Sequence, residues 1–158
     1  MANTQSMCTS FMGELMTATH NFGTAPTRGT SAADSFKAAL YLASATYDAS
    51  TTAYSSTGEV SGTGYTAGGV AVTIANPPTA TNASSTAGVA FLTPSASLVY
   101  TTVTLTTAFD AVLIYNSSQS NKAVSVHTFG SQTITAGTFT LTMPANTTST
   151  ALLRLATT

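Results

Sequence analysis

A series of short strand-like segments, separated by turn residues at intervals of about 8–12 residues, constrains the fold of this chain most strongly. Residues 138–143 alternate hydroxyl and apolar side chains, which is typical of a strand with one buried face. Residues 111–115 are apolar throughout and predict a central strand covered on both faces, with a turn following at 116–121. The pattern predicts a β-sandwich, jelly roll or small barrel of about eight or nine strands.

The predicted strands share short length and apolar or alternating character. They are residues 36–42, 70–74, 89–92, 98–106, 111–115, 123–129, 133–135, 139–143 and 152–155. No fixed period relates them, which disfavours a solenoid. We therefore expect a single β-sandwich or jelly-roll-like domain.

The N-terminus differs from the rest, because Met7, Phe11 and Leu15 recur at the spacing of one helical face. This spacing predicts a short α-helix over residues 7–20 that ends before Gly23. The chain then divides into an N-terminal helical segment, residues 1–22, and a β-sandwich domain, residues 23–158. Because a loop rich in Gly, Pro and Thr follows at 23–33, the helix can dock away from the β core, and we expect it to do so; the alternative is that it caps one open end of the sandwich. Met7, Phe11 and Leu15 are the predicted assembly interface.

Charge is scarce in this chain: 6% of residues are charged and the net charge is −1, compared with about 25% charged residues in an average protein. Four basic residues are too few for the phosphate-neutralising patch of a nucleic-acid-binding protein. The apolar runs are too short for a transmembrane helix of about 20 residues. We expect neither a nucleic-acid nor a membrane partner. A surface with so few charges opposes association weakly, which predicts a homo-oligomer.

Candidate catalytic and metal-binding residues are few and scattered. Glu14, His20 and Asp110 do not have the spacing of a metal site, and Asp110 is expected to pair with Lys122 across a hairpin. His127 is interpreted as a packing or surface histidine. The glycine-rich residues 58–69 match no phosphate-binding loop. The sequence therefore predicts a protein that is not an enzyme and has no catalytic residues, cofactor or metal.

The cysteine content bears on the compartment of synthesis, and the tyrosine content suggests an alternative function. Cys8 is the single cysteine, so the chain forms no internal disulfide, which suits synthesis in a reducing cytoplasm. Six tyrosines could form a sugar-binding platform, although the chain has no tryptophan. A carbohydrate-binding β-sandwich module is therefore an alternative function.

Several ordered segments resemble a family of small structural proteins of tailed bacteriophages. They are Ser10–Leu15 with His20–Phe22, Asp34–Tyr41, Glu59–Gly69, Phe109–Asn116 and Asn121–Val124. The likeness covers most of residues 10–155 and is weakest over 76–97.

The resemblance implies a virion component without enzymatic activity, synthesised in the cytoplasm of a host bacterium. The absence of repeats and of an extended shaft favours a compact capsid cement (decoration) protein over a fibre. By analogy, such a protein binds the major capsid protein or other virion proteins at capsid-subunit junctions, with a trimer as the favoured homo-oligomer. A tail, collar or fibre component is the alternative within the virion.

Overall fold

The computed structural model describes residues 2–16, 18–23, 33–74, 78–81 and 88–156. Within these ranges eight strands form two antiparallel sheets beside one short helix, which confirms the predicted mainly β, sandwich-like fold. The elements are β1 (Ser6–Met7), α1 (Thr9–Met16), β2 (Phe36–Leu42), β3 (Val70–Val72), β4 (Thr79–Thr81), β5 (Val89–Leu92), β6 (Leu98–Asn116), β7 (Lys122–Leu141) and β8 (Leu153–Ala156). The predicted loop over 23–33 lies, from residue 24 to residue 32, outside the described residues.

The larger sheet has the strand order β1-β7-β6-β2-β3, and the smaller one has the order β4-β5-β8. β6 lies between β7 and β2, and its stretch Ala111–Asn116 is buried residue by residue. Leu113, at 0% exposure, pairs with Ala39 on one side and Val126 on the other. This burial and pairing confirm the predicted central strand. An all-apolar run is stable where both faces of the strand are covered.

The long hairpin formed by β6 and β7 replaces five of the predicted strands. Residues 98–106 and 111–115 belong to one continuous strand, and residues 123–129, 133–135 and 139–141 belong to the next. The predicted breaks are wrong because the hairpin accommodates turn-forming residues as β-bulges. The register shifts at several points, and Ala136 adopts a φ of 48° at one of them.

The helix is shorter than predicted at both ends. Met7 lies in β1, which pairs with β7 through Ser6–Val126 and Met7–Ser125, so the chain stays extended until Cys8. At the other end Ala18 has a φ of 55°, with hydrogen bonds from the Ala18 N–H to the Leu15 carbonyl and from the Thr19 N–H to the Glu14 carbonyl. These two bonds form a Schellman motif, which ends the helix well before Gly23.

Candidate functional site

The three residues of the predicted assembly interface border one apolar cavity. Met7 is the last residue of β1. Phe11 and Leu15 lie on α1, opposite side chains of β5 and β8. The cavity has a volume of about 110 Å³. Its other lining residues are Phe22, Pro78, Ala90, Phe91, Leu92, Leu153, Arg154 and Leu155. The structure therefore brings the predicted residues together, at the place where the helix faces the smaller sheet.

The helix itself packs on the β core, so the expectation that it docks away from that core is wrong. Phe11 is 2% exposed, and its ring meets His20 and Phe22 edge-on at centroid distances of 4.9 and 5.9 Å. Phe22 stacks in turn on Phe36 of β2 at 4.4 Å. These aromatic contacts pack the helix against the large sheet. Burial of a Phe side chain contributes about 1.5–3 kcal/mol to the free energy of folding. Met7 and Leu15 are half-buried, and for them the assembly role stays a prediction.

A partly exposed ion pair fixes the helix to the start of β7. The Lys122 ammonium donates to Glu14 Oε1 at 2.5 Å, and His20 Nε2 lies 2.7 Å from Glu14 Oε2. The predicted pairing of Asp110 with Lys122 is wrong, since Asp110 Oδ1 accepts instead from the Asn3 amide at 2.7 Å. Burial opposes the ionisation of Glu14, but the bonds from Lys122 and His20 outweigh it and lower its pKa.

A second carboxylate extends this polar cluster toward the turn between β6 and β7. The fully buried Asn116 amide donates to Asp34 Oδ2 at 2.7 Å and lies 3.0 Å from His20 Nδ1. Gln119 donates to Asp34 Oδ1 at 3.0 Å. Burial is again outweighed by these bonds, and the pKa of Asp34 is lowered. Within the described ranges no three His, Cys, Asp or Glu side chains form a group that could hold a metal ion.

A third carboxylate, Glu59, is buried, and the sequence did not predict its structural role. It is 9% exposed and accepts three hydrogen bonds of 2.7 Å, from the Tyr54 and Tyr65 hydroxyls and from the Gly68 N–H. Burial and the hydrogen bond to Glu59 raise the pKa of both tyrosines above its usual range. Glu59 thus holds the glycine-rich loop on β2, where the Tyr65 hydroxyl also accepts from the Leu40 N–H.

The tyrosines do not form a sugar-binding platform. Tyr41, Tyr47, Tyr100 and Tyr115 are buried, at 7% exposure or less. All six tyrosine hydroxyls donate to acceptors within the chain. Tyr54 and Tyr65 donate to Glu59, and the other four donate to the backbone carbonyls of Ser55, Thr57, Ala38 and Gly68. A sugar platform needs exposed ring faces with polar tips that are free to bind, and four of these rings are inside the core.

The potential nucleophiles are held in inert environments. Ser125 Oγ lies 2.9 Å from His127 Nε2, but Ser125 is only 1% exposed. Burial lowers the pKa of His127 to about 4, so its imidazole is neutral near pH 7. Burial raises the pKa of Cys8 to about 12, which keeps the thiol protonated. None of the three presents an activated group to solvent.

No protein-family profile, no curated protein and no solved structure matches this chain. Within the described residues no helix has the length and apolar character needed to cross a bilayer.

Proposed function

We propose that this chain is a non-enzymatic structural component of a tailed-phage virion, and specifically a capsid cement protein that binds the major capsid protein at subunit junctions. A tail, collar or fibre component is the alternative position. The resemblance of the sequence segments to small phage structural proteins suggests the virion, and the internal chemistry of the fold supports a structural role.

One observation carries the structural role: the polar side chains that perform chemistry in enzymes are held by the fold itself. All five carboxylates of the chain accept hydrogen bonds from neighbouring groups, on Glu14, Asp34, Asp48, Glu59 and Asp110. All six tyrosine hydroxyls are bound internally in the same way. Side chains used like this stabilise a scaffold and are not arranged around a substrate.

The surface supports binding to other proteins through neutral contacts. Met12 on α1 and Leu155 on β8 are large apolar side chains exposed by 48% and 45%, and Leu155 lines the apolar cavity. A protein with so few charges gains little from electrostatic attraction, so its affinity depends on apolar burial and backbone hydrogen bonds. Such contacts accumulate when many copies bind a repeating lattice.

The test is the copy number of the chain in purified particles, measured by quantitative mass spectrometry against the major capsid protein. A cement protein is present in many copies, in a fixed ratio to the capsid protein. A tail or collar component is present in only a few copies per particle, and complete absence from particles would overturn the proposal.

A second measurement separates cementing from mere incorporation. Particles lacking the chain should lose their genome at a lower temperature, and adding the purified chain should restore the original release temperature. The Met12→Ser variant probes the exposed apolar surface: because Met12 is 48% exposed, the substitution should leave the fold intact, and this variant should restore the release temperature less fully than the wild-type chain. A cement role predicts restoration by the wild-type chain, whereas no effect on release would overturn it.

A further inference from the structure

The outer edge of β7 is open over most of its length. β1 pairs with β7 at Ser125 and Val126, and the Cys8 N–H bonds to the Val124 carbonyl. From residue 127 to residue 141, the strand pairs only with β6 in the part of the chain that the structure describes. One side of these residues therefore carries a row of backbone donors and acceptors with no strand beside it.

The other edge of the same hairpin is closed by the glycine-rich loop. Thr63 pairs with Thr104 of β6, and the Thr104 N–H donates to the Thr63 carbonyl at 2.8 Å. The close approach requires glycine, because a Cβ on Gly62 would lie 2.0 Å from the Thr104 carbonyl oxygen and one on Gly64 would lie 2.2 Å from that of Thr102. The chain covers the β6 edge with its own backbone and leaves the β7 edge uncovered.

The open edge lacks the side chains that usually prevent strands from pairing. Residues 127–141 contain no Lys, Arg, Asp, Glu or Pro, and burial keeps His127 neutral near pH 7. Ser131, Gln132, Thr133 and Thr135 are exposed. β7 carries extra residues on both sides of Gln132–Ile134, between Thr128 and Gln132 and between Ile134 and Gly137, whereas opposite this stretch the extra residues lie on β6, between Leu105 and Phe109. Gln132–Ile134 is therefore the stretch of this edge in which β7 has no bulge of its own, and it is the part best suited to receive another strand.

We propose that two copies of this chain pair through this edge, antiparallel and about a two-fold axis near Thr133. An antiparallel pair of identical strands is self-complementary, so each backbone donor on one copy meets an acceptor on the other. Neither strand carries a charge that repels its copy, which makes a second copy the partner that this edge fits. The pairing goes beyond the proposed virion role and can be wrong while that role is right.

The test combines two charge-bearing variants of the full chain. One carries Ser131→Lys, Thr133→Lys and Thr135→Lys, and the other carries glutamate at the same three positions. Sedimentation equilibrium should give the wild-type chain twice its mass of 15.9 kDa. Each variant should raise the dissociation constant at least about tenfold, because like charges then oppose each other across the axis. An equimolar mixture of the two variants should restore the dimer.

A matched control carries three lysines away from the hairpin, as Thr57→Lys, Thr66→Lys and Thr148→Lys, all at exposed positions outside β6 and β7. It has the same net charge as the lysine variant and should remain dimeric. A monomeric wild-type chain, an equal loss of dimer in the control, or a mixture that stays monomeric would each overturn the pairing.

Hydrogen exchange on the wild-type chain provides a check that needs no variant. Amide protection of Gln132–Thr135 should rise with protein concentration, and protection that is independent of concentration would contradict the pairing. A chain that is monomeric in solution but abundant in particles would refute the pairing and leave the virion role standing.

Discussion

The glycine-rich loop depends on one carboxylate, and replacing Glu59 tests how much that carboxylate stabilises the fold. Glu59 Oε1 accepts from the Tyr65 hydroxyl and the Gly68 N–H, and Oε2 accepts from the Tyr54 hydroxyl, all at 2.7 Å. Glu59→Gln keeps one acceptor oxygen and nearly the same shape. Glu59→Leu removes every acceptor at the site.

The two substitutions should have graded effects on the free energy of unfolding. Hydrogen bonds to a charged group contribute about 1.5–3 kcal/mol and neutral ones about 0.5–1.5 kcal/mol, so Glu59→Gln should cost about 1–2 kcal/mol. Glu59→Leu leaves the Gly68 N–H and the Tyr65 hydroxyl without their acceptor. Each orphaned group costs about 1–3 kcal/mol, which gives a total of about 2–6 kcal/mol. Tyr54 is half-buried and can turn toward water, so the loss of its acceptor adds nothing to this cost.

Urea denaturation followed by circular dichroism measures these differences, with Asp48→Asn as the control. The Asp48 carboxylate accepts hydrogen bonds from the Ser50 N–H and hydroxyl near the surface, and an Asn side chain can accept them too, so this substitution should leave the midpoint unchanged. For a chain of this size, 1 kcal/mol corresponds to about 2–4 °C in melting temperature. The reasoning is refuted if Glu59→Leu costs no more than Glu59→Gln, or if neither differs from the control.

Four further predictions concern the core, the helix, acid stability and metals. Leu113→Ala should lower the free energy of unfolding by about 2–5 kcal/mol, and a loss below about 1 kcal/mol in urea denaturation would place this strand outside the core. Phe11→Ala should cost about 3–5 kcal/mol whereas Met12→Ala should change stability by less than about 0.5 kcal/mol; equal effects would mean that the helix does not belong to the core. Because burial lowers the pKa of His127 to about 4, below about 6.5 in the unfolded chain, the unfolded chain binds more protons between these values. His127 should therefore reduce stability by about 2 kcal/mol as the pH falls from about 7 to about 5, and a His127→Gln variant with the same pH dependence would contradict this. Treatment with EDTA should leave the melting temperature unchanged, and a fall would reveal a metal site.

The sequence predicted the strands correctly where periodicity had a physical cause. Residues 36–42 and 111–115 lie where their patterns predicted, because burial on one or both faces selects apolar side chains directly. The predicted breaks at 107–110, 130–132 and 136–138 contain Asp110, Gly130 and Gly137, yet all three residues lie within β6 or β7. A bulge accepts such residues, and bulges depend on the partner strand, which local sequence does not specify.

The helix shows where local pattern and tertiary contact compete. Met7 fits the helical stripe, yet its backbone pairs with β7, because an edge strand of the main sheet offers two partners for its polar groups. Ala18 ends the helix in a conformation usually associated with Gly or Asn. No composition signal marks either position, so the predicted boundaries at 7 and 20 are both too wide.

The hydrogen-bonded carboxylates Glu14 and Glu59 were beyond sequence reasoning for a different reason. Glu14 and Lys122 are separated by more than a hundred residues, and Glu59 meets Tyr65 and Gly68 only because the loop folds back on itself. A single acidic residue among many glycines and threonines is as consistent with a solvated turn as with a buried acceptor. The density of glycine and tyrosine around Glu59 was the available signal, since glycine permits close backbone approach and tyrosine supplies donors.

The placement of charge explains why this fold should favour association. A soluble domain normally uses surface carboxylates and ammonium groups to repel its copies, but here Glu14, Asp34, Glu59 and Asp110 are engaged within the fold. Solvation of the surface then falls to threonine and serine hydroxyls, which bind water without repelling a second copy. The same hydroxyls cover the open edge of β7, where nothing electrostatic opposes a neighbouring strand. Internal use of charge and openness to neutral contacts are therefore two consequences of one composition, and both suit a protein that works within an assembly.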